Sequence, residues 1–157
     1  TQALEEQNEE IKRAINRHLL PEARLWAARE LAKTGKLHSL NDISDGLASE
    51  ILEITESSGV GVILNAEDVP INQAAIAVAK YTDNDPLDWA IYGGEEYELV
   101  FSFPPEAKKE IAGALARVNC SFSIIGEIRG EGEERVIRFV GNSIQPLKPF
   151  GYNHFRA

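Results

Sequence analysis

The segment Tyr97–Phe103, YELVFSF, constrains the fold more than any other part of the chain. Tyr97, Leu99, Phe101 and Phe103 alternate with Glu98, Val100 and Ser102, which is the period of a β-strand, and the residue types suit a pleated surface. Pro104-Pro105 closes the strand, since proline offers no N–H to a ladder, and starts a helix over 106–117. Gly93-Gly94 stands just before it and implies an unusual backbone path into the strand.

The remaining elements arrange themselves around that strand. Residues 4–20 read as a helix with Leu4, Ile11, Ile15 and Leu19 near one face. Pro21 ends it and opens a second helix over 22–33, carrying Leu25, Trp26, Ala28 and Leu31, which Gly35 stops. A short extended piece over 37–42 leads through Asp45-Gly46 into a third helix. That helix turns Leu47, Ile51, Leu52 and Ile54 to the core and breaks at Gly59 and Gly61. Val60, Val62 and Leu64 alternate as a strand, 71–81 and 86–90 read as helices, and 122–128 as another strand. Residues 135–140 and 143–147 pair around Gly141-Asn142 as a hairpin. There is no regular parallel βαβ rhythm and no internal repeat. The expected fold is α+β: a mixed β-sheet with helices on both faces, forming one domain over residues 1–157.

Charge and composition narrow the function. The net charge is −9, which repels nucleic acid and anionic lipid, so neither nucleic acid nor membrane is an expected partner. No apolar run is long enough to span a bilayer, and no basic-then-apolar leader opens the sequence. The single cysteine, Cys120, reads as a buried structural thiol; with the missing leader it predicts a cytoplasmic location. A first residue of Thr1 suggests a processed or excised piece. An acidic chain that handles polyphosphates needs divalent cations between itself and the ligand.

Three constellations could carry chemistry. Asp42-Ile43-Ser44-Asp45-Gly46 lies where an extended segment meets a helix start. Two carboxylates three apart suit a hard, oxygen-ligated cation, and the helix start adds free N–H groups for a phosphate. A helix cap is the commonplace reading; it uses one of the three polar residues and leaves Asp42 without a task. Gly93-Gly94-Glu95-Glu96-Tyr97-Glu98 places Glu95 and Glu96 at the strand entrance, where they either reach a cleft or form a solvated turn, while Glu98 faces solvent or pairs with a base. Phe150-Gly151-Tyr152-Asn153-His154-Phe155 packs three aromatics into the tail, for docking onto the core or for stacking on a flat heterocycle, with Tyr152 the best placed for a ligand. The chain has no GxxxxGK[ST], no GxGxxG after a strand and no protein-kinase signature, and His18, His38 and His154 lack metal-type spacing.

These motifs, in this order, resemble the C-terminal half of the thiamine-monophosphate kinases. The resemblance runs from Arg17-His18-Leu19-Leu20-Pro21 through DISDGLASEI, Ser58-Gly59-Val60-Gly61, GGEEYELVF and IIGEI to the final GYNHF. DISDG alone is shared with a wider superfamily that includes aminoimidazole-ribonucleotide synthetase, selenophosphate synthetase and the hydrogenase maturation dehydratase; GGEEYEL with GYNHF narrows it. Glu96 and Asn153 stand where the family usually has Asp. The resemblance implies a fold like the C-terminal domain of aminoimidazole-ribonucleotide synthetase. It implies in-line transfer of the ATP γ-phosphoryl group to thiamine monophosphate with Mg²⁺, and no covalent nucleophile. By position, Asp42 and Asp45 would ligate Mg²⁺, Ser44 would contact ATP, and Glu95 and Tyr152 would contact thiamine monophosphate. It also implies an N-terminal ATP-binding domain absent from this chain, a homodimer in the full enzyme, and an isolated chain that folds without catalysing. The alternatives are another ATP-dependent enzyme of the superfamily, for hydrogenase maturation or selenophosphate synthesis, or a non-catalytic assembly module that packs through the N-terminal helix.

Overall fold

Glycines and prolines punctuate the chain into short elements that fold onto two apolar clusters. A computed structural model describes residues 2–139 and 141–148, and side-chain surroundings for most of them. The order is α1 (Gln2–Leu19), α2 (Leu25–Thr34), β1 (Ser39–Asp42), α3 (Leu47–Ser58), β2 (Val60–Asn65), α4 (Gln73–Thr82), α5 (Pro86–Tyr92), β3 (Leu99–Ser102), α6 (Lys108–Ala116), β4 (Gly126–Glu131), β5 (Arg135–Arg138) and β6 (Ile144–Pro146). Gly35 and Gly59 end α2 and α3 in the left-handed conformation, the φ that a side chain resists.

The strands form two sheets rather than one. β1 and β3 make an antiparallel pair, with Asp42 opposite Leu99 and Ser39 opposite Ser102. The other four run in the order β4-β2-β5-β6. There β2 pairs antiparallel with β4 and parallel with β5, so the sheet is mixed. The expected hairpin is present: β5 and β6 pair antiparallel, and Gly141 and Asn142 both take positive φ in its turn.

One core lies under α3: Leu47, Ala48, Ile51 and Leu52 meet Val62, Leu64 and Ile137 of the four-stranded sheet, with Ile91 of α5. The other joins Ala27 and Leu31 of α2 to Ile111 and Leu115 of α6, with Leu40, Leu99, Phe101, Phe103 and Phe122 packed against it. Alternation along β3 serves both cores, because Val100 packs on the first while Leu99 and Phe101 pack on the second. The two-stranded ladder therefore stands between the cores, and its Asp42 end carries the first motif.

Several sequence expectations shift. The second helix starts at Leu25, not after Pro21. The strand expected over 122–128 lies at Gly126–Glu131, because Phe122 joins Phe101 and Phe103 in an aromatic cluster, with ring centroids 6.1 and 6.2 Å away. The C-terminal part of the apolar stripe of α1 is not covered: Ile15 and Leu19 are exposed, as are Leu20, Leu25 and Trp26 beyond it, while Ile11 is half-buried. Cys120 is half-buried against the second core. Among the described residues, no helix is long and apolar enough to cross a membrane.

Candidate functional site

The first two motifs lie side by side, joined by backbone hydrogen bonds. Ile43 N–H donates to the Glu98 carbonyl at 2.8 Å, Tyr97 N–H to the Ile43 carbonyl at 3.0 Å, and Glu95 N–H to the Ser44 carbonyl at 2.8 Å. The β1–β3 ladder is thus prolonged past Asp42 and Leu99 into the loops that carry the acids. Glu95 (φ 67°) and Tyr97 (φ 52°) both take left-handed backbone, which is unusual for their types and bends the chain around the neighbouring loop. Gly94 makes the approach possible. A Cβ built there would stand 2.4 Å from the Ser44 carbonyl oxygen. Gly46 does the same from the other side, at φ 99° with its Cβ position 3.0 Å from the Tyr92 carbonyl oxygen.

The cap reading of the first motif does not hold. The N-cap of α3 is Gly46, and no side chain caps that helix. Asp42 and Asp45 are both exposed, and Ser44 is half-buried. Glu95 and Glu96 are exposed next to them. Asp42, Ser44, Asp45 and Glu95 therefore stand on adjoining backbone stretches near the start of α3. Tyr152 and Asn153 lie outside the described residues. Among the described residues, no group of three or more His, Cys, Asp or Glu side chains is disposed to hold a metal ion. Asp42 and Asp45 could thus supply part of a coordination shell, with phosphate oxygens and water supplying the rest. Mg²⁺ is commonly held in this way.

Two neighbouring carboxylates are tuned in opposite directions. The Glu96 carboxyl is pushed up to about 7, by burial first and by the charge of Glu98 second, although solvent still reaches its surface. Glu98 goes the other way. Burial opposes its ionisation, but the hydrogen bond and charge of Arg24, and then those of Arg17, hold it below the usual carboxylate range. Arg24 donates to it through Nε at 2.9 Å and through a terminal nitrogen at 2.6 Å, and Arg17 at 3.0 Å. Of the two readings for Glu98, pairing with a base is the correct one, and it ties the α1–α2 junction to the entrance of β3.

One residue escaped the sequence reading. Glu50 of α3 is buried at 5% exposure and reaches back to Asn41, Ser44 and Asp45. The available signal was helical spacing: Glu50 stands three residues after Leu47 and four before Ile54, on the face assigned to the core. Two open grooves, of about 460 and 450 Å³, lie elsewhere, beside Leu52 and Arg135 and beside Val69 and Phe139, and neither is lined by the acids of the two motifs.

Known proteins resemble the chain over most of its length. The chain is 34% identical over 142 residues to thiamine-monophosphate kinase of Bacillus subtilis, covering 90% of this chain and 42% of that protein. The structure of AaThiL complexed with AMPPCP and TMP matches 90% of this chain and 40% of its own, with a TM-score of 0.69 and 28% identity. The hydrogenase maturation protein HypE of E. coli shares the fold, with a TM-score of 0.65 over 78% of this chain and 38% of its own, at 18% identity. The chain therefore spans about two fifths of the length of the relatives it matches. The family model described as AIR synthase related protein, C-terminal domain, matches residues 2–138, and the chain belongs to that family.

Proposed function

We propose that this chain is the C-terminal part of a thiamine-monophosphate kinase, whose whole enzyme moves the ATP γ-phosphoryl group onto the phosphate of thiamine monophosphate. The observation that carries the reading is the backbone pairing of the Asp42–Gly46 loop with Gly94–Tyr97, which brings the stretches bearing Asp42, Ser44, Asp45 and Glu95 beside each other at a helix start that no side chain caps. Similarity to the kinase of Bacillus subtilis and to AaThiL with its AMPPCP and TMP supports the same reaction.

In this proposal Asp42 and Asp45 hold Mg²⁺, Ser44 meets the nucleotide, and Glu95 and Tyr152 meet thiamine monophosphate. When bound, Mg²⁺ would neutralise charge on the polyphosphate. The start of α3, which no side chain caps, would favour an anion beside it. Glu95 offers a carboxylate to the cationic thiazolium or to the aminopyrimidine edge. Transfer breaks the bond from the γ-phosphorus to its bridging oxygen and forms one to a phosphate oxygen of the acceptor, so no protein nucleophile is needed. An N-terminal domain would complete the nucleotide site and the homodimer, and the lone Cys120 fits a cytoplasmic enzyme. The 157 residues alone then fold and do not turn over.

The test is titration of the chain with thiamine monophosphate, followed by calorimetry, in the presence of Mg²⁺ and AMPPCP. Binding that weakens at least tenfold in Glu95→Ala and in Tyr152→Ala supports the reading. Equal binding by wild type and Glu95→Ala removes the acceptor assignment and leaves another enzyme of the superfamily. Normal turnover by the chain alone in a coupled ADP-release assay removes the division of labour.

A further inference from the structure

Glu50 is a carboxylate buried in a helix whose other buried positions are Leu47, Ala48, Ile51, Leu52 and Thr55. A buried acid persists only with donors around it. Its donors all come from one place. Asn41 Nδ2 donates to Oε2 at 2.5 Å, Ser44 Oγ to Oε1 at 3.4 Å, and the Asp45 backbone N–H to Oε1 at 3.3 Å. The carboxylate thus grips the strand end and the loop from beneath, on both sides of Asp42 and Ile43. All three donors belong to the strand end and the loop that follows it. Were Glu50 only a filler of α3, an apolar side chain of similar bulk would serve at least as well.

We propose that Glu50 is the positioning residue of this loop: it pins the Asp45 amide and the Ser44 hydroxyl so that Asp42 and Asp45 stay turned outward onto one divalent cation. This rests on the cation reading above, and the experiment separates the two. The probe is Mn²⁺ added to the ¹⁵N-labelled chain, with paramagnetic broadening of the Asp42–Gly46 amides giving site and affinity. Amide order parameters without metal report the loop itself.

In the wild type the Asp45 amide has the order parameter of rigid backbone, about 0.85. Glu50→Leu keeps the bulk and removes the acceptor. It weakens Mn²⁺ binding at least tenfold and drops the Asp45 order parameter below about 0.6, while the Leu64 and Ile137 amides keep theirs. Glu50→Gln, a neutral acceptor that makes weaker bonds, loses roughly threefold in Mn²⁺ affinity. A folded Glu50→Leu chain with wild-type Mn²⁺ affinity or a rigid Asp45 amide overturns the assignment. Should that variant not fold, wild-type affinity in Glu50→Gln overturns it. If the wild-type chain shows no Mn²⁺ broadening at the loop, the cation reading itself falls.

Discussion

Replacing Gly94 by alanine puts a methyl group where the two motif loops already touch. The added Cβ would lie 2.4 Å from the Ser44 carbonyl oxygen, 3.3 Å from its carbon and 3.4 Å from Asp45 Cα. The first distance is roughly 0.6 Å inside the closest approach ordinary for a Cβ, and the obstacle is backbone, which cannot rotate away. The loops must separate, and the bond from Glu95 N–H to Ser44, now 2.8 Å, lengthens with them. Overpacking of this kind costs about 1–3 kcal/mol, and a weakened backbone hydrogen bond about 1 kcal/mol more. For a chain of this size that lowers the melting temperature by roughly 4–16 °C. Thermal denaturation followed by circular dichroism reads the loss, and hydrogen exchange at the Glu95 amide shows where it arises. The control is Gly113→Ala in α6, where a Cβ meets nothing within 4 Å; it should stabilise by about 0.4–1 kcal/mol. A Gly94→Ala chain as stable as wild type, with the Glu95 amide equally protected, would refute the claim that backbone contact joins the motifs.

Further expectations concern the two tuned acids. Glu98→Gln takes the carboxylate from Arg24, leaves Arg17 only Glu22, and should cost about 1 kcal/mol at neutral pH, less at high salt, because the pairs are partly exposed. The folded Glu98 carboxyl titrates below its unfolded value, so its contribution is present above that value and disappears as pH falls through the lowered one; urea melts of both chains between pH 7 and pH 3 should converge. Glu96 has the opposite sign. Its folded value of about 7 lies above the unfolded one near 4.5, so its contribution is complete below pH 4.5 and is lost as pH rises through 7. Glu96→Gln should therefore be more stable than wild type at pH 8, by about 1 kcal/mol or less after solvent screening, and no more stable at pH 4; a gain of equal size at both values would contradict the assignment.

Much of the framework was legible because it depends on local chemistry. Gly35, Gly59 and Gly141-Asn142 end elements by their backbone freedom, and Val60–Leu64 alternates as a strand whatever surrounds it. The association of the two motifs was legible only through resemblance, since nothing in DISDG specifies that it will lie against GGEEY. The strand beginning at Tyr97 was misplaced by two residues for the same reason. Glu95 and Tyr97 take left-handed backbone to bond the Ile43–Ser44 loop, and neither residue type advertises that conformation. The second helix begins late because Arg24, at its N-cap with φ −82° and ψ 44°, is drawn to Glu98, seventy-four positions away. Ile15 and Leu19 show the converse: their spacing is that of a buried stripe, yet the described chain leaves them uncovered.

The parallel pairing of β2 with β5 sets the order in which the molecule can be finished. Val62 lies opposite Arg135, and the chain between them carries α4, α5, β3, α6 and β4. A ribosome delivers Val60–Asn65 long before either neighbouring strand exists, so that segment waits with both flanks open. Closing so long an excursion is slow relative to forming the local helices. Shelter from a chaperone would count most during that interval.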